Sequence, residues 1–509
     1  FQTSGVPLAL KRDATDGVQS VHVEVKHPDE INTLFDPAIV YAKGSRLMHM
    51  LRRWLGDEAF AKGLNAYFAK HQYGNTIGRD LWNALGAASG RDVAAFMDSW
   101  LEQPGYPVLT AIVENDTLKI SQKQFFIGEK EEKGRLWVVP LNSNWTGIPD
   151  TLETETLEIP NYTALAAQNE GALRLNTENT AHYITDYQGE LLDNILATIT
   201  DLDNTSKLQV VQERRLLAEA GFVSFADLIP VVKKLTNERS YLVVSAVKAV
   251  LNSLKIFVDE GTETEVAFKK LLIKLNQANF DRLGFEAKAG ETDEDELVRQ
   301  IVVANMIAAD DEKASQKASQ IFEAYHDSLE KLPAATRLQI LINQIKRHET
   351  KELTDKYLAK YITTVDGNFQ RQLASALSYT KNETTLTHLL EEWKNKDIVK
   401  PQDLAMSWYF TFLQHDFTQG TVWTWARDNW DWIKAALGGD MSFDKFVIYP
   451  ANAFKTHERL AEYKAFFEPQ LSDLAISRNI SMGIKEISAR IDLIDKEKAA
   501  VEAAIKAAV

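Results

Sequence analysis

Cysteine is absent from all 509 residues. That excludes disulfides, thiolate metal sites and a cysteine nucleophile, and it fits a reducing compartment. A basic excess is missing too. The net charge of -15 argues against a nucleic-acid partner, which demands a basic face. No apolar run approaches the ~20 residues of a membrane helix. Lys11, Arg12 and Asp13 stand where a signal peptide would carry its apolar region. These absences give the expectation of a cytoplasmic protein with no transmembrane segment; the sequence leaves oligomeric state open, with a monomer as the default expectation. Motif chemistry is equally sparse, with no G-x-x-x-x-G-K-[ST], no G-x-G-x-x-G and no G-x-S-x-G. The ten histidines are His22, His27, His49, His71, His182, His326, His348, His388, His415 and His457. No two lie three or four residues apart, so the H-E-x-x-H zinc motif is not written here. His348-Glu349 and His457-Glu458 begin it without a second histidine. Carboxylate runs such as Glu129, Glu131 and Glu132 read as solvated faces.

Glycine and proline are scarce in one part of the chain only. Residues 1–189 hold 15 of the 24 glycines and 8 of the 13 prolines. Sparse breakers favour continuous helix, so residues 189–509 read as an all-helical array resembling an α-solenoid. Its helices include 208–220, 241–256, 296–308, 335–347, 368–377 and 484–508. Trp423, Trp425, Trp430 and Trp432 read as packing between them. Residues 107–188 change period. Val108, Thr110 and Ile112 alternate, Asn115-Asp116 makes a turn, and Leu118 and Ile120 resume the alternation. With further strands at 136–141 and 154–159, this stretch reads as a small β-sandwich. Before it, after an irregular opening, residues 1–106 carry four short amphipathic helices. The first has Val40, Leu47, Met48, Leu51, Trp54 and Leu55 at helical spacing and ends at Gly56. Asp57 is placed to cap the second, whose apolar face is Phe60, Leu64, Tyr67 and Phe68. The third follows Thr76, and Asp92 opens the fourth. The fold class is multidomain and mainly α.

Tyr41-Ala42-Lys43-Gly44 opens the first of these helices, with Met50-Leu51 and Leu55-Gly56 downstream. Tyr73-Gly74-Asn75-Thr76 precedes Asp80-Leu81-Trp82. Trp100 precedes Gln103-Pro104-Gly105-Tyr106-Pro107-Val108. In this order, the segments resemble the M1 family of zinc aminopeptidases, the aminopeptidase N group. The likeness is strong to about residue 110 and more diffuse beyond. Arg174 to Tyr187 is similar to that family's strand leading into its helical domain.

The resemblance implies the helical remainder of a thermolysin-like catalytic domain, then a β-sandwich, then a helical domain closing over the active site. It implies a metallo-aminopeptidase that removes N-terminal residues from short peptides. It assigns Tyr41 the catalytic role of donating a hydrogen bond to the developing oxyanion, a role that needs no proton loss. Lys43 is expected to neutralise a neighbouring carboxylate, and Gly44 to permit close helix packing. In that family the zinc ligands and general base precede Tyr-x-Lys-Gly. The expectation is therefore that Phe1 falls after them, that zinc belongs to the intact enzyme, and that this chain is inactive alone. The rival reading is a non-catalytic α-solenoid scaffold that binds another protein.

Overall fold

The computed structural model describes residues 1–128, 130–440 and 442–509, so Glu129 of the carboxylate run lies outside the described residues. Its neighbours Glu131 and Glu132 are exposed and pair with Lys133 at 3.3 Å and Lys130 at 2.9 Å. The chain divides into two units, Phe1–Lys234 and Leu235–Val509.

The opening of the first unit is helical where an irregular segment was expected. Val6, Ala9, Leu10 and Asp13 recur on one face and are all buried, which makes Gly5–Asp13 an amphipathic helix, α1. A short helix, α2, spans Ile31–Leu34. The predicted helix from Val40 begins instead with a wide turn, Ala38–Lys43, and becomes regular in α3, Gly44–Leu55. Gly56, at φ 82°, lies between α3 and α4, Asp57–His71. Asp57 does not cap α4. It is the first residue of that helix and pairs with Arg52 at 2.8 Å. Phe68 departs from the expected apolar face and is exposed, while Gly63 is buried. There α4 approaches α5, Gly78–Ser89, so closely that a Cβ on Gly63 would lie 2.9 Å from the Leu85 Cα. Asp92 caps α6, Val93–Leu101, by accepting from the Ala95 N–H at 3.0 Å.

The strands follow. β1, Pro107–Glu114, and β2, Thr117–Gln124, form the expected hairpin, with Glu114 opposite Thr117. Asn115 and Asp116 take φ of 50° and 56°, the left-handed pair that matches strand twist in a two-residue turn. The strand expected at 136–141 shrinks to β3, Val139–Pro140, paired with β4, Thr151–Leu152. The Gln122 side chain takes the place of a ladder, donating to the Trp137 carbonyl and accepting from its N–H, both at 3.0 Å. β5, Thr156–Pro160, pairs with β2. α7, Tyr162–Ala167, intervenes before β6, Ile184–Tyr187, which returns parallel to β1. The larger sheet therefore has the order β5-β2-β1-β6. α8, Glu190–Ala197, α9, Asn204–Glu219, and α10, Leu228–Lys234, complete the unit. Every residue from Ser206 to Ala218 in α9 is buried.

Among the described residues, the regular structure of the second unit is all helical. Helices at Tyr241–Lys255, Asp293–Ala308, Arg337–His348 and Gly367–Leu377 fall within a few residues of their expected bounds. The last helix, Ser477–Ala507, starts earlier than expected because Asn479, Ile480, Met482 and Gly483 are buried along it. Trp423 and Trp430 are core residues, and Trp425 and Trp432 pack partly buried against that core. Among the described residues, no helix is long and apolar enough to cross a membrane.

Candidate functional site

Tyr41 lies in the turn Ala38–Lys43. Its coils are wider than those of an α-helix, since the Gly44 N–H donates to the Ile39 carbonyl five residues back. Such π-turns are rare, short and frequent at functional sites. The Tyr41 side chain is 63% exposed and meets the Phe35 ring edge-on, with centroids 5.5 Å apart. Lys43, two positions on, points to the opposite side and is completely buried.

The carboxylate that Lys43 neutralises is Asp13, the last residue of α1, at 2.9 Å. Neither side chain has any exposed surface. Asp13 is satisfied all round. Its Oδ1 accepts from the Gly105 N–H at 2.9 Å, and its Oδ2 also meets His182 Nε2 at 2.9 Å. Lys43 donates further to the Gly105 carbonyl at 3.1 Å. Burial by itself would raise the Asp13 carboxyl, but the Lys43 ammonium and the His182 hydrogen bond outweigh it and hold it below the usual value. Burial pushes His182 down to about 4, so the ring is neutral near pH 7 and must carry its proton on Nε2 to serve Asp13. Tyr106 closes the pocket, its ring 5.0 Å from His182 and its hydroxyl donating to the Leu10 carbonyl.

One helical turn beyond Lys43, Arg46 is also fully buried. It donates to the Asn179 carbonyl at 3.2 Å, to Asn179 Oδ1 at 3.0 Å and to the Ala181 carbonyl. The buried face of the Tyr41 helix is thus held by cations reaching residues far away in the chain. The expectation for Gly44 fails. A Cβ there would meet only the Ile39 carbonyl oxygen at an ordinary 3.8 Å, so no neighbouring helix presses on it.

Sequence reasoning missed Asp13 and His182. The helical spacing of Val6, Ala9, Leu10 and Asp13 was the available signal for the first. His182 carried none, since its partner lies 169 residues away. Among the described residues, no group of three His, Asp or Glu side chains could hold a metal ion. The residues present therefore do not fit a zinc site.

The first unit combines short helices with a four-stranded and a two-stranded sheet, the second is a helical array, and sequence comparison places this arrangement in a family. The profile of the peptidase family M1 domain matches residues 1–100, and that of the ERAP1-like C-terminal domain matches residues 173–489. The chain is 62% identical over 503 residues to an aminopeptidase N of Lactococcus lactis subsp. lactis, covering 99% of this chain and 59% of that protein. It is 43% identical over 508 residues to an aminopeptidase N of Lactobacillus delbrueckii subsp. lactis, covering 100% of this chain and 60% of that protein. A puromycin-sensitive aminopeptidase of Caenorhabditis elegans is 26% identical over 99% of this chain and 55% of its own length. The chain belongs to the M1 family of peptidases, in its aminopeptidase N group. It spans about three-fifths of the length of the bacterial relatives named here.

Proposed function

We propose that these residues serve a zinc metallo-aminopeptidase of the cytoplasm that removes N-terminal amino acids from short peptides. In this reading the zinc and the general base are held by residues outside the 509, and the chain alone does not hydrolyse peptides. Tyr41 donates a hydrogen bond to the former carbonyl oxygen as negative charge gathers on it, an interaction stronger in the transition state than in the ground state. The helical unit limits the length of peptide admitted. The domains are read as 1–106, 107–188 and 189–509.

The observation that carries the reading is the outward Tyr41 on its π-turn, in a chain 62% identical to an aminopeptidase N. The test is Tyr41→Phe in a zinc-containing aminopeptidase that includes these residues. Turnover should fall by about 10²–10³ with zinc content unchanged, the usual effect of removing one oxyanion donor. Full turnover in the variant rejects the role. Zinc-dependent hydrolysis by residues 1–509 alone rejects the expected inactivity.

A further inference from the structure

Two consecutive residues at the end of α1 grip the Tyr41 turn from both ends. Arg12 Nε reaches Asp36 Oδ2 at 2.7 Å. Asp36 in turn starts the turn, its side chain accepting from the Ala38 N–H at 3.0 Å and its carbonyl from the Ile39 and Val40 N–H groups. Asp13 holds the other end through Lys43. Tyr41 stands between the two grips in the chain and is exposed.

A π-turn contains one residue more than the α-helix it interrupts, and it persists only where the surroundings hold it. If Gly44 reverted to the α pattern and bonded four residues back, the segment before it would rotate by about 100° relative to α3, one residue of helical twist. Tyr41 would then leave its outward position. Holding Lys43 and Asp36 at fixed points on α1 forbids that rotation. The chemistry of the lock also argues for a role beyond stability. A buried ion pair is a poor stabiliser compared with apolar residues of the same size, and its best-attested use is to fix one register among several. Here it fixes the register of the turn that carries the phenol.

We propose that Lys43 and Asp13 are positioning residues for Tyr41, locking the π-turn in the register that aims the phenol outward. This rests on the reading of Tyr41 as the oxyanion donor. His182 and the Gly105 N–H orient the Asp13 carboxylate, and Arg12 with Asp36 steadies the start of the turn.

The decisive variant is the charge-free pair Lys43→Met/Asp13→Leu, made in a zinc-containing aminopeptidase that includes these residues. Removing both charges together avoids stranding either one in the interior. Kcat should fall at least about tenfold, as misplacement of a catalytic group does, with KM and zinc content little changed. Made on top of Tyr41→Phe, the same pair should change kcat by less than about twofold, because a residue acting through Tyr41 has nothing left to position. Parental kcat in the charge-free enzyme overturns the inference, and so does a loss that multiplies with that of Tyr41→Phe.

Tyr41→Phe with full turnover would instead sink the functional reading. The lock is then judged on residues 1–509 alone, by amide exchange at Tyr41 and Gly44. Exchange faster by about tenfold or more in the charge-free pair supports it, and unchanged exchange overturns it. Should the pair fail to fold, Lys43→Met/Asp13→Asn, also charge-free and closer to the parental volume, with the Asn Oδ1 still able to accept from the Gly105 N–H, takes its place under the same readings.

Discussion

Glu213 offers the sharpest quantitative test of the first unit. It sits in α9, where its carboxyl accepts from Gln209 Nε2 at 2.9 Å and only 5% of the residue is exposed. Burial pushes its pKa up to about 8, and the hydrogen bonds from Gln209 and the Thr185 backbone and the attraction of Arg46 do not offset it. The folded protein therefore keeps a proton that the unfolded chain releases from the ordinary carboxyl value of 4.5 upward. Stability is lost as pH rises across that window, at about 1.4 kcal/mol per pH unit. The accumulated loss is about 5 kcal/mol once the folded group has also ionised. Glu213→Gln keeps the shape and hydrogen bonds without the charge. Its advantage in urea unfolding should be small near pH 5 and grow steadily towards pH 8. His182 acts in the opposite direction. Its folded pKa is depressed to about 4, so stability falls as pH drops from 6.5 towards that value. That contribution is common to both proteins and cancels in their difference. A gap between variant and parent that stays constant from pH 5 to pH 8 would refute a protonated, buried Glu213.

Two further outcomes test the packing. Gly63→Ala gains about 1 kcal/mol of helix propensity but drives a Cβ into the Leu85 backbone, so a net loss of about 1–3 kcal/mol is expected in denaturant melts. Equal or greater stability would show that α4 and α5 separate freely. Trp423, with ring centroids 5.3 Å from Phe454 and 5.7 Å from Phe467, should cost about 3–5 kcal/mol on truncation to Ala. Thermal unfolding that leaves the second unit intact at the parental temperature would contradict its place in the core.

Periodic signals were legible because they repeat along one element. The helix from Tyr241 and the Asn115-Asp116 hairpin follow from spacing and from residues that tolerate positive φ. Leu136 to Leu141 shows the limit of such reasoning. Its composition suits a strand, yet most of its backbone groups are taken by side chains from elsewhere. Gln122 serves Trp137, Trp100 Nε1 donates to the Val138 carbonyl, and Gln103 donates to that of Leu136. The M1 motif around Tyr41 could be read directly, but the wide turn could not. A π-turn leaves no mark on hydrophobic period over six residues, and its cause lies in tertiary contacts with α1. Asp13, Lys43 and His182 are separated by 30 and 139 positions, and a charged residue in sequence looks the same whether it ends in water or in the interior.

The parallel pairing of β1 with β6 has a consequence for how the molecule is made. Val108 meets Ile184 and Ala111 meets Tyr187, so β1 is flanked on both sides only after the second partner has left the ribosome. Asn179, Ala181 and His182, which serve Arg46 and Asp13, emerge in the same late stretch. A shortened gene ending anywhere between residues 125 and 178 would therefore yield a product with β1 as an open edge and with Arg46 and Asp13 each short of partners. Such a product is a candidate for strand-to-strand aggregation, and because the buried helix α9 also belongs to the first unit, Lys234 is the earliest sensible stop codon boundary for anyone dissecting this polypeptide.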